Sequence, residues 1–170
     1  VTDADREAQD VYVKMLQECF PTFGIVAEEN GLSVPCTHPN HNIWFTVDPL
    51  DGTKAFIRGQ SHGVGSMIAL VCDDVVIAAY VGEVMTGEIY GFRPGSEKVH
   101  RTTSRDQTVQ LRIDPERLLT KQYLLLRDRE HLHSPRAQQL AAPAANGGIC
   151  SSIEIGGGSI GTSMARLWKG

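Results

Sequence analysis

Residues Asp48-Pro49-Leu50-Asp51-Gly52-Thr53 combine two carboxylates, a proline turn, a glycine and a hydroxyl in one short stretch. Asp48 and Asp51 lie three apart around Pro49, a spacing that lets both converge on one point. Leu50 between them has no polar side chain, so its contribution would be the backbone carbonyl. Oxygen donors of this kind suit a hard cation such as Mg2+, which keeps several waters alongside its carboxylates. Gly52-Thr53 opens a short helical run, Lys54-Ala55-Phe56-Ile57, whose first amides have no carbonyl one turn back and favour a phosphate oxygen. Two other stretches bring carboxylates to element ends, Asp3/Asp5 and Glu28/Glu29. Asp-Pro and Asp-Gly are also ordinary turn dipeptides, and Glu-Glu is commonly a solvated pair. The residues taken alone therefore leave a metal site and a plain turn both open.

The elements that must position these groups can be read from periodicity. Ala4, Ala8, Val11, Met15, Leu16 and Cys19 recur at helical spacing behind Thr2-Asp3, and Phe20–Gly24 ends that helix. Ile25-Val26-Ala27 reads as a short strand delivering Glu28 and Glu29. Residues 30–42 are polar with two prolines and read as a surface loop. Ile43–Val47 shows no polar alternation, which predicts a strand buried on both faces that stops at Asp48-Pro49. Strands at 66–72, 75–81 and 88–92, the first two hinged on Asp73-Asp74, predict an antiparallel meander. Residues 93–107 read as loop, 109–113, 123–126 and 149–155 as strands, and 133–142 and 161–168 as helices. The expected class is α/β (α+β).

The bulk composition excludes several functions. The chain has 170 residues, 41% of them hydrophobic, and a net charge of −4 from 16 Lys+Arg against 20 Asp+Glu. No basic excess points to nucleic acid or an anionic membrane, and no apolar run is long enough to span a bilayer. The four cysteines are scattered without a C-x-x-C pair, which fits a reduced, cytoplasmic protein.

Three short elements carry a family resemblance. Asp48–Thr53 resembles the D-P-[IL]-D-G-T signature of the inositol monophosphatase-like superfamily. Ala27-Glu28-Glu29 resembles its G-E-E element, and Val1-Thr2-Asp3-Ala4-Asp5 its V-T-x-x-D element. Gly161-Thr162 resembles its later small-residue element. The resemblance implies a layered α-β-α-β-α sugar-phosphatase-like fold, incomplete at both ends here. Residues 1–117 would form an N-terminal α+β metal- and phosphate-binding domain and residues 118–170 the start of a C-terminal α/β domain. It implies a Mg2+-dependent phosphomonoesterase acting on a small phosphorylated metabolite by metal-activated water. Glu28, Asp48, Leu50 and Asp51 would hold metal, and Asp5, Glu28 and Thr53 would be catalytic. Gly52, Thr53, Gly161 and Thr162 would bind substrate. Family members are commonly lithium-sensitive homodimers, with neither nucleic-acid nor membrane partners expected.

Departures from the pattern bear on substrate. The family's late W-D-x-A carboxylate has no match, since Trp168 is followed by Lys169-Gly170. Asp-Gly-Thr is followed by Lys54, as in the 3′(2′),5′-bisphosphate nucleotidase and histidinol-phosphate phosphatase branches. The missing carboxylate leaves a non-catalytic regulatory protein as an alternative. Cys36-x-His38-x-x-His41 matches no structural zinc motif and reads as a polar loop at the active-site edge. His62, His131 and His133 read as ordinary loop residues. Gly156, Gly158 and Gly161 form a G-x-G-x-x-G pattern better explained by close packing of the last helix on a strand than by a dinucleotide.

Overall fold

A computed structural model describes residues 1–126 and 130–169. The chain divides into two compact units, Val1–Ile113 with Gly158–Gly170, and Asp114–Gly157. The first unit holds α1 (Asp3–Cys19), β1 (Gly24–Ala27), β2 (Ser33–Val34), β3 (Ile43–Asp51), α2 (Thr53–Ile57), β4 (Gly65–Cys72), β5 (Val75–Glu83), β6 (Glu88–Phe92), β7 (His100–Thr102) and β8 (Thr108–Gln110). The second holds β9 (Tyr123–Leu126), α3 (Pro135–Ala141) and β10 (Ser152–Ile155); α4 (Ile160–Lys169) returns to the first.

The main sheet has the order β2-β1-β3-β4-β5-β6-β7-β8. β4, β5 and β6 form the expected antiparallel meander, which β3 extends on one side and β7 and β8 on the other, whereas β1 lies parallel to β3 with Ala27 opposite Val47. Alternation along the strands gives the sheet two different faces. Ile25, Ala27, Phe45, Val47, Ile68 and Leu70 meet Leu16, Tyr12 and Val13 of α1 on one face. Met67, Val81 and Tyr90 meet Ala165 and Trp168 of α4 on the other. Helix α1 keeps Asp5, Gln9, Tyr12 and Leu16 on one side, at spacings of four, three and four, as a core-facing helix requires. The mixed α/β class follows from this arrangement of helices on both faces of a sheet.

Two local expectations change. β3 does not stop at Asp48. It runs to Asp51 through a bulge in which Pro49 and Leu50 have no partner on β4, so the missing amide of Pro49 costs no ladder bond. Nor is β3 buried on both faces: Thr46 is exposed, because α4 lies over β4 and β5 and leaves this part of its face uncovered. Residues 30–42 and 93–107 are loops that include the short strands β2 and β7. In the second unit β9 and β10 pair in parallel, Ser134 caps α3 by accepting from the Ala137 amide at 3.3 Å, and Pro135 takes the first helical position.

Candidate active site

The parallel register of β1 and β3 sets the acidic pair. Ala27 lies opposite Val47, so the next residues, Glu28 and Asp48, emerge side by side on the face opposite α1, and the Glu28 amide donates to the Val47 carbonyl at 3.1 Å. Their carboxyl groups are near enough for each to oppose the other's negative charge. Burial, the contact with Glu28 and the charges of Glu28 and Asp51 push Asp48 up to about 7, against the pull of the Leu50 amide. An open cleft of about 530 Å3 runs beside the pair over the uncovered sheet face, lined by Val26, Thr46, Met67 and Ala69.

The start of α1 supplies a third carboxylate. Asp5 is 0% exposed and accepts from the Thr2 amide and the Thr2 hydroxyl, each at 2.5 Å, the reciprocal half of a capping box. Its other oxygen lies 3.1 Å from Thr53 Oγ1, which is also 3.3 Å from the Leu50 carbonyl. Burial opposes the charge on Asp5, but the Thr2 and Thr53 hydrogen bonds outweigh it and hold the carboxyl below its usual range. Asp3, by contrast, points outward and pairs with Arg6.

The bulge directs Asp51 towards the start of α4. One of its oxygens accepts from Ser159 Oγ at 2.6 Å and from the Gly161 amide at 2.7 Å, placing a negative charge at a helix N-terminus. Ser159 in turn receives the Thr162 amide at 2.9 Å. Gly161 and Thr162 therefore sit beside Asp51, with both amides engaged within the protein. Gly52, between Asp51 and α2, has φ 91°, and a Cβ there would lie 2.1 Å from the Gly63 carbonyl oxygen. Only glycine fits this turn. A Cβ at Gly161 would lie 2.4 Å from Met67 Sδ, in keeping with close helix-on-strand packing as the reason for that glycine.

Two positioning residues escaped the sequence reading. Gln9 grips the backbone of Glu29, accepting from its amide at 2.9 Å and donating to its carbonyl at 3.1 Å. Ser159 holds Asp51. Gln9 had a signal, a polar residue on the inward stripe of α1; Ser159 had none beyond its place before the last helix. The Cys36–His41 loop is not at the active-site edge. It enters β3 at Ile43, whereas Asp48 lies five residues along, roughly 17 Å away at strand rise. His62 and His131 are exposed.

The carboxylates fit a hard cation. Glu28, Asp48, Asp51 and the Leu50 carbonyl are all oxygen donors, and an Asp48 carboxyl pushed up by burial and by the Glu28 and Asp51 charges marks a site short of positive charge.

These features define an α/β protein with an acidic site at the ends of its strands. The chain belongs to the inositol monophosphatase family, whose sequence model matches residues 1–165. It is 36% identical over 98 residues to the Nus factor SuhB of Xylella fastidiosa, covering 58% of this chain and 34% of that protein. It is 37% identical over 90 residues to the inositol-1-monophosphatase of Rhizobium meliloti, covering 53% and 32%. The chain thus spans about a third of the length of these curated relatives. The native crystal structure of extragenic suppressor protein suhB from Bartonella henselae has the same fold, with a TM-score of 0.75 at 24% identity over 100% of this chain and 62% of that one. No helix among the described residues is long and apolar enough to cross a membrane.

Proposed function

We propose that this protein is a Mg2+-dependent phosphomonoesterase that hydrolyses a small phosphate monoester such as inositol monophosphate. The observation that carries this reading is the Glu28–Asp48 carboxyl pair beside the Thr53–Asp5 hydrogen bond. In this reading Glu28, Asp48, Asp51 and the Leu50 carbonyl would hold the Mg2+. Bound Mg2+ supplies positive charge that acidifies water and neutralises phosphate oxygens.

The chain's own residues do the rest. Thr53 donates its hydroxyl hydrogen to Asp5, which leaves oxygen lone pairs free to accept from the attacking water. Glu28 and the Thr53–Asp5 pair take up the water's proton as its oxygen bonds to phosphorus, and the ester oxygen departs with the P–O electron pair and takes a proton from solvent. The Gly52 and Thr53 amides bind phosphate oxygens, and Gly161 and Thr162 contribute by bracing Asp51 and Ser159. Ser159 and Gln9 hold Asp51 and the Glu28-Glu29 turn in position. Lithium sensitivity, a homodimer and a cytoplasmic location belong to the same reading.

The test is phosphate release by the whole protein from inositol 1-phosphate, a 3′(2′),5′-bisphosphate nucleotide and histidinol phosphate, with and without Mg2+. Asp48→Asn should abolish release, and full activity in EDTA would overturn the proposal. The exposed Lys54 favours the latter two substrates as the alternative, and the panel ranks all three. The likeness to a protein named Nus factor SuhB favours a second reading, a regulatory binding protein on this fold. Absence of turnover on every substrate with Mg2+ present would select it.

A further inference from the structure

At the end of β3 remote from Asp48, three side chains of different chemistry converge. His41 precedes β3, Cys72 ends β4, and Asp73 begins the two-residue turn into β5. One ligand atom from each, the imidazole nitrogen, the thiol sulfur and a carboxylate oxygen, lies within 4.8 Å of the other two. His41 Nδ1 is 2.8 Å from Asp73 Oδ2, and Cys72 Sγ is 3.7 Å from the same oxygen. We propose that His41, Cys72 and Asp73 form a binding site for a thiophilic divalent transition-metal ion such as Zn2+, separate from the acidic site at the other end of the strand.

The surroundings fix the donors before any ion arrives. The Ile43–Cys72 pairing of β3 with β4 sets where the loop meets the turn. The Asn42 amide donates to Asp73 Oδ1 at 2.9 Å, which leaves Oδ2 directed at His41 and Cys72. Asp73 and Asp74 both have positive φ, 49° and 67°, the geometry of a tight primed hairpin turn that locks the carboxylate's direction. The His41 amide donates to His38 Nδ1 at 3.2 Å, and Cys36 Sγ donates to the His41 carbonyl at 3.6 Å, so the His41 backbone is held from both sides. His41 and Asp73 side chains are about half exposed, 53% and 55%, which gives an ion direct entry from solvent.

The donor set selects the metal. A thiolate and an imidazole favour Zn2+ or Cu+ over Mg2+, whereas the all-oxygen site at Asp48 has the opposite preference. Three protein ligands leave a fourth position for water or an added ligand. On binding, the Cys72 S–H bond is replaced by a sulfur–metal bond and its proton passes to the buffer, while His41 exchanges the Nδ1–H it gives Asp73 for the Nε2–H tautomer, freeing the Nδ1 lone pair. The ion would clasp the loop before β3 to the β4–β5 turn.

Titration of the metal-free protein with Co2+ tests this, because thiolate ligation produces a sulfur-to-cobalt charge-transfer band that carboxylate ligation lacks. The band should appear with one equivalent, be displaced by Zn2+, persist in Asp48→Asn and Cys36→Ser, and vanish in Cys72→Ser. His41→Ala alters an exposed side chain and should fold normally while weakening Co2+ binding at least about tenfold. No band at saturating Co2+, a band that survives in Cys72→Ser, or unchanged affinity in folded His41→Ala would each overturn the proposal. The outcome is independent of phosphatase activity, which is read separately by the substrate panel.

Discussion

Gln9 holds both backbone polar groups of Glu29, 20 residues away, through the two ends of its amide. Glu28 is thereby fixed from behind by α1 while its side chain meets Asp48. Gln9→Ala leaves the buried Glu29 amide and carbonyl without this partner, at about 1–3 kcal/mol of stability. We expect a lower thermal midpoint together with a higher Mg2+ concentration needed for half-maximal phosphate release, measured on the same preparation.

Ser159→Ala removes one of the two donors to Asp51 Oδ2 and leaves the Gly161 amide in place. A hydrogen bond to a charged group contributes about 1.5–3 kcal/mol. The expected outcome is a folded protein with phosphate release reduced by roughly an order of magnitude or more, read as kcat and KM in a continuous assay.

Gly52→Ala places a Cβ against the Gly63 carbonyl and the Ser159 amide at a positive φ. Backbone strain of this kind costs about 1–3 kcal/mol before any clash. Chemical denaturation should show a loss of at least that size, and phosphate release should fall with it because Asp51 and Thr53 flank the turn.

Asp48 sits at about 7 in the folded chain against an ordinary value of 3.8. Between those values the folded state keeps a proton that the unfolded chain has lost. Stability of the metal-free protein should therefore fall as pH rises through that window and level off above it. Asp48→Asn should flatten this slope in thermal unfolding measured across the range.

Glu88 shows the opposite sign. The Tyr90 hydroxyl first, then Lys169 and Arg101, hold its carboxyl below the usual range against the effect of burial. Its contribution is complete above the ordinary carboxylate pKa and is lost as pH falls through the lowered folded value. Glu88→Gln should lower the thermal midpoint at neutral pH and converge with the parent protein in acid.

The α1 helix, the meander and the Asp48–Thr53 turn were legible because each depends on local pattern: a 3.6 period, strand spacing around Asp73-Asp74, and turn residues with carboxylates. The bulge at Pro49 was not, since proline signals a ladder break without saying whether the strand resumes. Thr46 belongs to an apolar run, and only the position of α4 over β4 and β5 explains why it is exposed. Gln9 and Ser159 carry no charge or motif, and their importance arises from what lies across space. His41 and Asp73 are 32 residues apart, so the cluster they form with Cys72 depends on strand register that sequence spacing does not encode.

The Ser159–Asp51 contact joins residues 108 positions apart. During synthesis at about 5–20 residues per second, the Asp48–Thr53 turn would leave the ribosome roughly 5–20 s before the segment that braces it. For that interval Asp51 is made but lacks its Ser159 and Gly161 donors. The Asp51 part of the acidic centre thus waits on α4, the segment that braces it.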